Sequence, residues 1–425
     1  MQGNSFLLKD VIRNPEDGPQ DILVLDGKIH TRASSGSLNP PDCLPEYTGH
    51  GQYIFPSFID AHTHLREPGY EYKEDIASGL SAALHGGFGA VMPMANTRPV
   101  NDSASITRMM LDRARAIYPD GPRLYPIGAL SVGLEGKALA PMGELREAGA
   151  VAVSNDGRPV CDSGIFRHAM EYAATWGMKV IDHCEDPYLA QGWQMNESRT
   201  GADLGLKGQP QAGEAIQVAR DILLAEYLNL PIHLAHISCR QSLDLIRWAK
   251  SRGVPITAET CPHYLFLDDA MFPDYNTAFK TSPPLRDFLD VAALRAALAE
   301  GVIDILATDH APHAAHEKET PFEEAANGMI GLETAVSLTY ELVRLGEISK
   351  DRFENLWSSG PAGIFNLEIN KFQPGDRADF FLFDPEARWF VLPASLHSKS
   401  HNTPWLGKEL RGKVTAHWLS GKKLL

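Results

Sequence analysis

The chain alternates short β-rich runs with helix-like stretches eight times, and this alternation constrains its fold more than any other feature. In the helix-like stretches, apolar residues recur at intervals of three and four, as on one face of a helix. The β-rich runs read YIFPSFIDAH, GAVMPMAN, RLYPIGALSV, AVAVSND, KVIDHCE, PIHLAHIS, PITAETCPH and DILATDHAPH. The clearest helix-like stretches cover 73–87, 163–177, 212–229 and 240–253. Over residues 56–364 the pattern predicts an α/β protein with a (β/α)8 TIM-type barrel, carrying a long irregular insertion between the seventh and eighth strands.

The two ends of the chain lack the helices of the central region. Residues 1–55 include DILVLDGKIH, and residues 365–425 include GDRADFFLFDPEARWFV and GKVTAHWLSGKKLL. Both ends are typical of short strands joined by Gly and Asp turns. We expect 1–55 and 365–425 to form one small β-sandwich domain, which would bring the two termini side by side. The alternative is two independent tails.

Composition limits the partners and the compartment. The 54 acidic residues outnumber the 39 basic ones, for a formal net charge of −15. This charge argues against a nucleic-acid or anionic-membrane surface, but a few local cations would still hold a small anionic substrate. The five cysteines are widely spaced and include no Cys-X-X-Cys, so we expect no disulfide framework. Since the N-terminus does not resemble a signal peptide and no apolar run reaches about 20 residues, the sequence predicts a cytoplasmic protein without a membrane span.

Metal-capable or polar side chains occur where almost every predicted strand ends. In a barrel of this type, the chemistry takes place at the carboxyl ends of the strands. His62 and His64 are two residues apart and therefore point to the same side of the first strand. The other strand ends carry Asn96, Asp156, His183, His236, His263 and Asp309, with His310 and His313 shortly after. Each has an ordinary alternative when taken singly: His183 as a polar loop residue, His236 as a core histidine, Asp309 as a helix cap. Their joint placement predicts a metal site.

Histidine nitrogens and aspartate oxygens suit Zn²⁺, with Mn²⁺ or Co²⁺ as alternatives. Such an ion lowers the pKa of bound water to about 7 and polarises a carbonyl, and two ions would lie about 3.5–4 Å apart. Competing chemistries lack their motifs, since the chain has no Gly-X-Gly-X-X-Gly, no phosphate loop ending in Gly-Lys-Ser/Thr and no Gly-X-Ser-X-Gly. Cys184, next to His183, is an alternate ligand or, more simply, a buried thiol.

Seven motifs point to one enzyme family. They read DAHTHLREPGYEYKEDI, GGFGAVMPMANTRPV, DHCED, AHIS, SPPLR, ATDHAPH and GMIGLET. Together they resemble the dihydroorotases, and in particular the class I bacterial type within the amidohydrolase superfamily. The resemblance extends from about residue 50 to residue 415 and includes the stretch NTPWLGKELRGKV. The Arg-Glu-Pro-Gly after His-X-His and the Asp-His-Ala-Pro-His are specific to this branch.

Dihydroorotases interconvert N-carbamoyl-L-aspartate and L-dihydroorotate, the ring-closing step of pyrimidine synthesis. The resemblance implies a zinc centre of one or two ions, whose ligands would be His62, His64, Asp156, His183, His236 and Asp309. It gives Asp309 a second role as general acid/base, which takes a proton from the attacking metal-bound hydroxide and delivers it to the departing amide nitrogen. Arg66, Asn96 and His313 would hold the substrate carboxylate, with Arg66 offering a bidentate fork. The alternative for Arg66 is a surface salt bridge with Glu67 or Glu71.

The chain departs from the family pattern at several positions. Its fourth strand reads GAVAVSNDG and has no lysine for the carbamylated bridge of hydantoinase-like relatives, so the resemblance favours the subtype in which Asp156 replaces that bridge. MANT stands beside Asn96 in place of Met-Pro-Asn-Thr, and NDG replaces Asp-Asp-Gly but keeps Asp156. Ser282 occupies a position where an Asn usually faces the substrate, which implies either a bridging water or a different substrate.

Three functions remain open from the sequence. The first is a zinc-dependent dihydroorotase, and the second is another cyclic amidase such as an allantoinase or hydantoinase. The third is a non-catalytic partner of aspartate carbamoyltransferase, with which this class often associates. Arg66 and Asn96 favour a carboxylated substrate, and the complete ligand set argues against the third function. The resemblance also implies a homodimer. Residues 310–330 are polar, with small residues at both ends, and form either a lid over the site or a solvated loop.

Overall fold

The computed structural model of the protein describes residues 4–40, 44–272 and 274–425. Its strands are β1 (Phe6–Ile12), β2 (Gln20–Leu25), β3 (Lys28–Ser34), β4 (Glu46–Pro56), β5 (Phe58–Thr63), β6 (Phe88–Pro93), β7 (Arg123–Leu124), β8 (Ile127–Ala129), β9 (Ala152–Ser154), β10 (Lys179–Asp182), β11 (Met195–Asn196), β12 (Gly208–Gln209), β13 (Ile232–Leu234), β14 (Ile256–Thr260), β15 (Ile305–Leu306), β16 (Phe380–Phe390), β17 (Glu409–Leu419) and β18 (Lys422–Lys423). The fold is mixed α/β.

The α-helices lie mostly between the central strands. They are α1 (Ile76–His85), α2 (Ala104–Ile117), α3 (Met142–Ala148), α4 (Ser163–Thr175), α5 (Arg199–Asp203), α6 (Gln211–Leu228), α7 (Arg240–Ser251), α8 (Pro262–Phe266), α9 (Phe288–Glu300), α10 (Ala315–Lys318), α11 (Ala335–Arg344), α12 (Lys350–Trp357) and α13 (Ser359–Phe365). The four helices predicted from apolar spacing are confirmed as α1, α4, α6 and α7. The insertion before β15 is more regular than expected, since it contains α9, whose first turn is capped by the Asp287 carboxylate.

The central strands pair in parallel, in two runs. One run has the order β5-β6-β7 and the other β8-β9-β10-β13-β14-β15. Only Tyr125 and Pro126 separate β7 from β8, so the two runs follow one another directly. A parallel bridge between Thr63 and His310 links the first strand to the segment after the last. Asp60 strengthens this link, because its Oδ1 accepts a hydrogen bond from the Thr308 amide at 2.9 Å. The carboxyl ends of these strands therefore face one common region.

Strands from both ends of the chain form one seven-stranded sheet. Its order is β18-β17-β16-β4-β1-β2-β3, in which β16 pairs antiparallel with β4. This pairing joins residues of the two chain ends, so the alternative of two independent tails is wrong. Side chains alternate between its faces. Phe380 and Leu382 pack with Phe6 in a cluster of the sheet's own, whereas Phe381 and Phe383 enter the large core shared with the central strands and helices.

The cysteines and the helices give two further results. Cys161, Cys184, Cys239 and Cys261 are free thiols, while Cys43 lies outside the described residues. Within the described part of the chain, no helix combines the length and apolar character needed to cross a membrane.

Candidate metal centre and carboxylate-binding wall

A cavity of about 260 Å³ lies at the carboxyl ends of the central strands. Nine of the ten site residues predicted from the sequence line it: His64, Arg66, Asn96, Asp156, His183, His236, Ser282, Asp309 and His313. The tenth, His62, is fully buried beside it, with its Nε2 3.4 Å from Asp156 Oδ1. The structure thus brings all ten residues together.

Several of these residues lie in the parallel strands or within two residues of their carboxyl ends. His62 is part of β5, His64 follows it by one residue, and His183 comes immediately after β10. Asp156 and His236 each lie two residues beyond their strands, β9 and β13. Because the strands are parallel, short extensions of each one meet at the same edge.

Three site residues hold unusual backbone conformations. The φ angles of Arg66, His236 and Asp309 are 64°, 33° and 47°, in the left-handed region that non-glycine residues rarely adopt. Such conformations cost free energy and persist only where the surrounding structure enforces them, as it does at many functional sites. Each turns a side chain towards the cavity just as its strand or turn ends.

Asp156 lies at the centre of the cluster. Its Oδ1 is 3.4 Å from His62 Nε2, 3.6 Å from His183 Nδ1 and 3.5 Å from His236 Nε2. Its Oδ2 is 3.6 Å from His64 Nε2. Asp156 therefore belongs to two groups of possible metal ligands, one with His62 and His64 and the other with His183 and His236.

Asp309 joins the same cluster from the other side. Its Oδ1 lies 3.0 Å from His64 Nε2 and 3.6 Å from His62 Nε2. Four imidazoles and two carboxylates thus converge on one small region, and this is a donor set that suits a divalent cation.

Unpartnered atoms test whether a cation fits. His62 Nε2 and Asp156 Oδ1 are buried and have no hydrogen-bond partner, although they lie only 3.4 Å apart. Buried polar atoms normally have partners, because an unpaired one costs about 1–3 kcal/mol. A bound cation would satisfy both atoms. The residues present therefore fit a divalent metal ion.

The His-X-His pair is oriented by hydrogen bonds on its far side. His62 Nδ1 lies 2.7 Å from Glu259 Oε1, and His64 Nδ1 lies 3.0 Å from Asn96 Oδ1. With a cation bound, each Nδ1–H would donate to these oxygens and each Nε2 would present a lone pair to the cation. This is the arrangement by which metal-binding histidines are usually held.

Electrostatics keeps both aspartates ionised. Burial alone would raise the pKa of Asp309, but the hydrogen bond from His64 and the charge of His62 lower that pKa to about 2. The pKa of Asp156 is likewise well below its usual range, because the surrounding histidines outweigh the effect of burial. For His62, burial lowers the pKa, and Asp156 and the other carboxylates reverse this and raise it well above its ordinary value. The cluster thus holds carboxylates that attract positive charge.

Glu259 contacts the site residue His62, and the sequence analysis did not identify it. It is fully buried in β14, and its second oxygen, Oε2, lies 3.1 Å from Nε2 of the buried His233. His233 Nδ1 in turn lies 2.8 Å from Thr257 Oγ1. The one available signal was an acidic residue inside an otherwise buried strand, in PITAETCPH.

His263 is not a strand end, contrary to the sequence prediction. It lies in α8, three residues beyond the end of the strand, because β14 stops at Thr260 and Pro262 starts a helix. Its Nε2 is buried without a partner, and burial lowers its pKa to about 4, so the ring is neutral at pH 7.

Cys184 is a buried thiol whose pKa is raised well above the usual range by burial and by Asp221. Its sulfur lies 3.7 Å from Asp221 Oδ2.

Arg66, Asn96 and His313 form one wall of the cavity, termed here the carboxylate-binding wall. Arg66 is buried; its Nε donates to Pro312 O at 3.1 Å, and its Nη2 is 3.3 Å from His313 Nε2. The surface salt-bridge alternative is wrong, since Arg66 is buried, Glu67 pairs with Arg113 and Glu71 Oε1 accepts from the Gly69 amide. Because Asn96 Oδ1 accepts from His64, its amide N–H groups are left to donate elsewhere.

Residues 310–330 pack closely over this wall. Lys318 and Phe322 in this segment are buried, whereas His316, Glu319 and Glu323 are exposed, so the segment is part packed and part solvated. Lys318 Nζ donates to the carbonyl oxygens of Ala326 and Gly328 at 2.8 and 3.0 Å. Whether the segment acts as a lid stays a prediction.

A buried cluster of histidine and aspartate ligands at the carboxyl ends of parallel strands in an α/β fold defines the class of metal-dependent hydrolases. Comparisons with known proteins specify the class further. A family model described as dihydro-orotase-like matches residues 51–242. The dihydroorotase of Desulforapulum autotrophicum is 44% identical over 403 residues, covering 95% of this chain and 94% of that relative. The dihydroorotase of Pelobacter propionicus is 45% identical over 406 residues, covering 96% and 95%. The chain therefore belongs to the dihydroorotase family of cyclic amidohydrolases.

Solved structures of hydantoinases share the fold. The L-hydantoinase of Arthrobacter aurescens superposes with a TM-score of 0.86 at 22% identity, covering 99% of this chain and 95% of that one. The D-hydantoinase of a Thermus species gives 0.84 at 25% identity with the same coverage. The fold is thus common to several cyclic amidohydrolases, and the side chains of the cavity have to distinguish their substrates.

Proposed function

We propose that this protein is a dihydroorotase, which catalyses the reversible cyclisation of N-carbamoyl-L-aspartate to L-dihydroorotate in pyrimidine biosynthesis. One observation carries the proposal. The possible metal ligands and the carboxylate-binding wall face the same cavity of about 260 Å³. A cyclic amide that bears a carboxylate needs a metal site at its scissile bond and a binding site for its carboxylate.

The proposed metal is zinc, as one or two ions, held by His62, His64, Asp156, His183, His236 and Asp309. When bound, it would lower the pKa of a water molecule and polarise the amide carbonyl. Nitrogen-rich ligand sets of this kind suit zinc better than Mg²⁺ or Ca²⁺. Asp156 is shared by both ligand groups, which supports a centre that can hold two ions.

Asp309 is the proposed general acid/base. Its lowered pKa, about 2, keeps it a carboxylate at neutral pH, which is the ionisation state that a proton acceptor requires. In the hydrolytic direction it would then return this proton to the departing amide nitrogen; ring closure runs the same steps in reverse. Its reach to both atoms matters more than its exact pKa.

Arg66, Asn96 and His313 are proposed to bind the substrate carboxylate. Arg66 is buried and retains N–H groups beyond the one bonded to Pro312 O, so it can offer two parallel donors to a carboxylate. Ser282 also lines the cavity, and because its side chain is shorter than asparagine, a water would bridge it to the substrate.

A hydantoinase is the second candidate, because hydantoinases share the fold. The cavity argues against it in two ways: among the described residues that line it there is no lysine to carry a carbamate, and there is a buried arginine suited to a carboxylate. Both features favour the dihydroorotase.

We also infer the larger organisation. The order of the parallel strands, with the bridge between Thr63 and His310, supports a closed (β/α)8 barrel over residues 56–364. Residues 1–55 and 365–425 would make up the small β-sandwich domain. A homodimer and an association with aspartate carbamoyltransferase are further proposals, which rest on the family alone.

The test is an assay of purified, zinc-supplemented protein, following the ultraviolet absorbance of L-dihydroorotate with allantoin and hydantoin in parallel. Turnover of dihydroorotate alone is the expected result. Turnover of hydantoin instead would favour the second candidate. Inactivity towards all three, persisting after addition of aspartate carbamoyltransferase, would overturn both.

A further inference from the structure

Asn402 lies outside the cavity but is bonded to the segment that forms its wall. It belongs to residues 391–408, between β16 and β17, and is 7% exposed. Its Oδ1 accepts from the His313 amide at 3.1 Å. Its Nδ2 donates to Ala311 O at 3.0 Å and to Gly328 O at 3.1 Å. The donors and the acceptor of one side-chain amide are therefore all occupied by backbone groups at the cavity.

These bonds tie together two stretches that are separate in sequence. One stretch contains Ala311 and His313, and the other contains Gly328, and all three line the cavity. The backbone of Asn402 adds a fourth bond, since its carbonyl accepts from the Ile330 amide at 3.0 Å. Gly328 is packed so closely that a Cβ there would lie 2.6 Å from Ala311 Cβ and 3.3 Å from His313 Nε2. The two stretches therefore pack in close contact, and the side chain of Asn402 bonds to both of them.

The same stretch also orients Arg66. The Nε of Arg66 donates to Pro312 O, the carbonyl between Ala311 and His313. A shift of residues 311–313 would therefore move both His313 and the partner that aims the Arg66 guanidinium. The possible metal ligands have other supports, because Glu259 and Asn96 hold the His-X-His pair. Loss of Asn402 should therefore disturb Arg66 and His313 of the carboxylate-binding wall and leave Asn96 and the metal ligands in place.

We propose that Asn402 is a positioning residue that sets the geometry of the substrate-carboxylate subsite by holding residues 311–313 against Gly328. This inference rests on the proposed function, since it specifies which part of the substrate the segment between β16 and β17 helps to bind. The carboxylate is recognised by Arg66 and His313, and Asn402 acts through them without touching the substrate.

The test compares Asn402→Ala and Asn402→Asp with the wild-type enzyme. Aspartate keeps the shape but turns two donors into an acceptor that faces two carbonyl oxygens. The matched control is Ser400→Ala in the same segment: Ser400 is also buried, and its Oγ donates to Lys73 O, which is not part of the cavity. The measurements are kcat and KM for L-dihydroorotate, the zinc dissociation constant and the thermal midpoint. Should Asn402→Asp fail to fold, Asn402→Ser serves in its place.

We expect KM to rise about tenfold or more in the Asn402 variants, since small misplacements of positioning groups have effects of this order. We expect kcat to change less than about threefold, zinc affinity to stay constant, and Ser400→Ala to match the wild type. An unchanged KM in folded variants would overturn the inference. So would a parallel loss of zinc, or an equal KM increase in Ser400→Ala. Absence of dihydroorotate turnover in the wild type would instead refute the proposed function, so the two failures are distinguishable.

Discussion

The two sides of the cavity are supported in different ways. The possible metal ligands lie in a parallel strand or at most three residues beyond one, so the pairing of the strands brings them together. In the carboxylate-binding wall, Arg66 and Asn96 lie three residues beyond β5 and β6, but His313 lies on a loop that is held by side chains such as Asn402, 89 residues away. We therefore expect a substitution on one side to leave the geometry of the other side intact. Damage to the first should affect metal binding and kcat, and damage to the second should affect KM.

Removal of the proposed acid/base should have the largest effect. Asp309→Asn keeps the size of the side chain but removes the carboxylate that accepts and returns the proton. We expect kcat to fall by about 10³-fold, within the range typical of general acid–base groups. Ring-opening assays measure this, and circular dichroism and zinc content check that the fold and the metal are retained. Activity within tenfold of wild type would contradict the assignment of Asp309.

Glu259 offers a test of the metal side alone. Glu259→Ala removes the acceptor that orients His62, and loss of such a partner typically lowers metal affinity by about 10–100-fold. Competition with a chromophoric chelator gives the zinc dissociation constant. With saturating zinc, KM should remain close to that of the wild type.

The matched control for Glu259 is Thr257→Val, one step further out in the same hydrogen-bonded chain. Because it leaves the bond between His62 and Glu259 intact, its zinc affinity should differ from the wild type by much less. Equal zinc affinities in Glu259→Ala and the wild type would show that His62 is oriented by other means.

Arg66→Lys tests the other side alone. Lysine keeps the charge but loses the planar fork and the N–H that bonds to Pro312 O. We expect KM for L-dihydroorotate to rise about tenfold, the effect of weakening one charged hydrogen bond. Zinc affinity should not change. If zinc is lost together with substrate affinity, the two sides of the cavity are coupled and the comparison fails.

In the last prediction we expect no change: KM should not depend on the ionisation of His313. Burial lowers the pKa of His313 to about 4, so its cationic form predominates only below that pH. Between pH 5.5 and 8 the ring therefore stays neutral, and KM should show no inflection that belongs to His313. With an ordinary pKa near 6.5, the ring would gain charge on acidification and KM would fall. The measurement is the steady-state KM of the wild type and His313→Asn as a function of pH. An inflection present in the wild type and absent from His313→Asn would contradict the prediction, whereas one present in both has another origin.

Much of the architecture could be predicted from local patterns. Apolar residues at helical intervals identified α1, α4, α6 and α7. The boundary of β14 could not be predicted in the same way, since PITAETCPH is uninterrupted in sequence and only the turn at Pro262 puts His263 in a helix. The ten site residues were found because their types recur at strand ends and match a family pattern.

The sequence by itself determined where strands and helices alternate and which ligand types stand at the strand ends. Both depend on residues close together along the chain. Only the tertiary structure decided that Glu259 orients His62, 197 residues away, and that Asn402 braces His313. A hydrogen bond between distant residues leaves no periodic pattern in the sequence, because its two partners meet only when the strands and loops between them are packed.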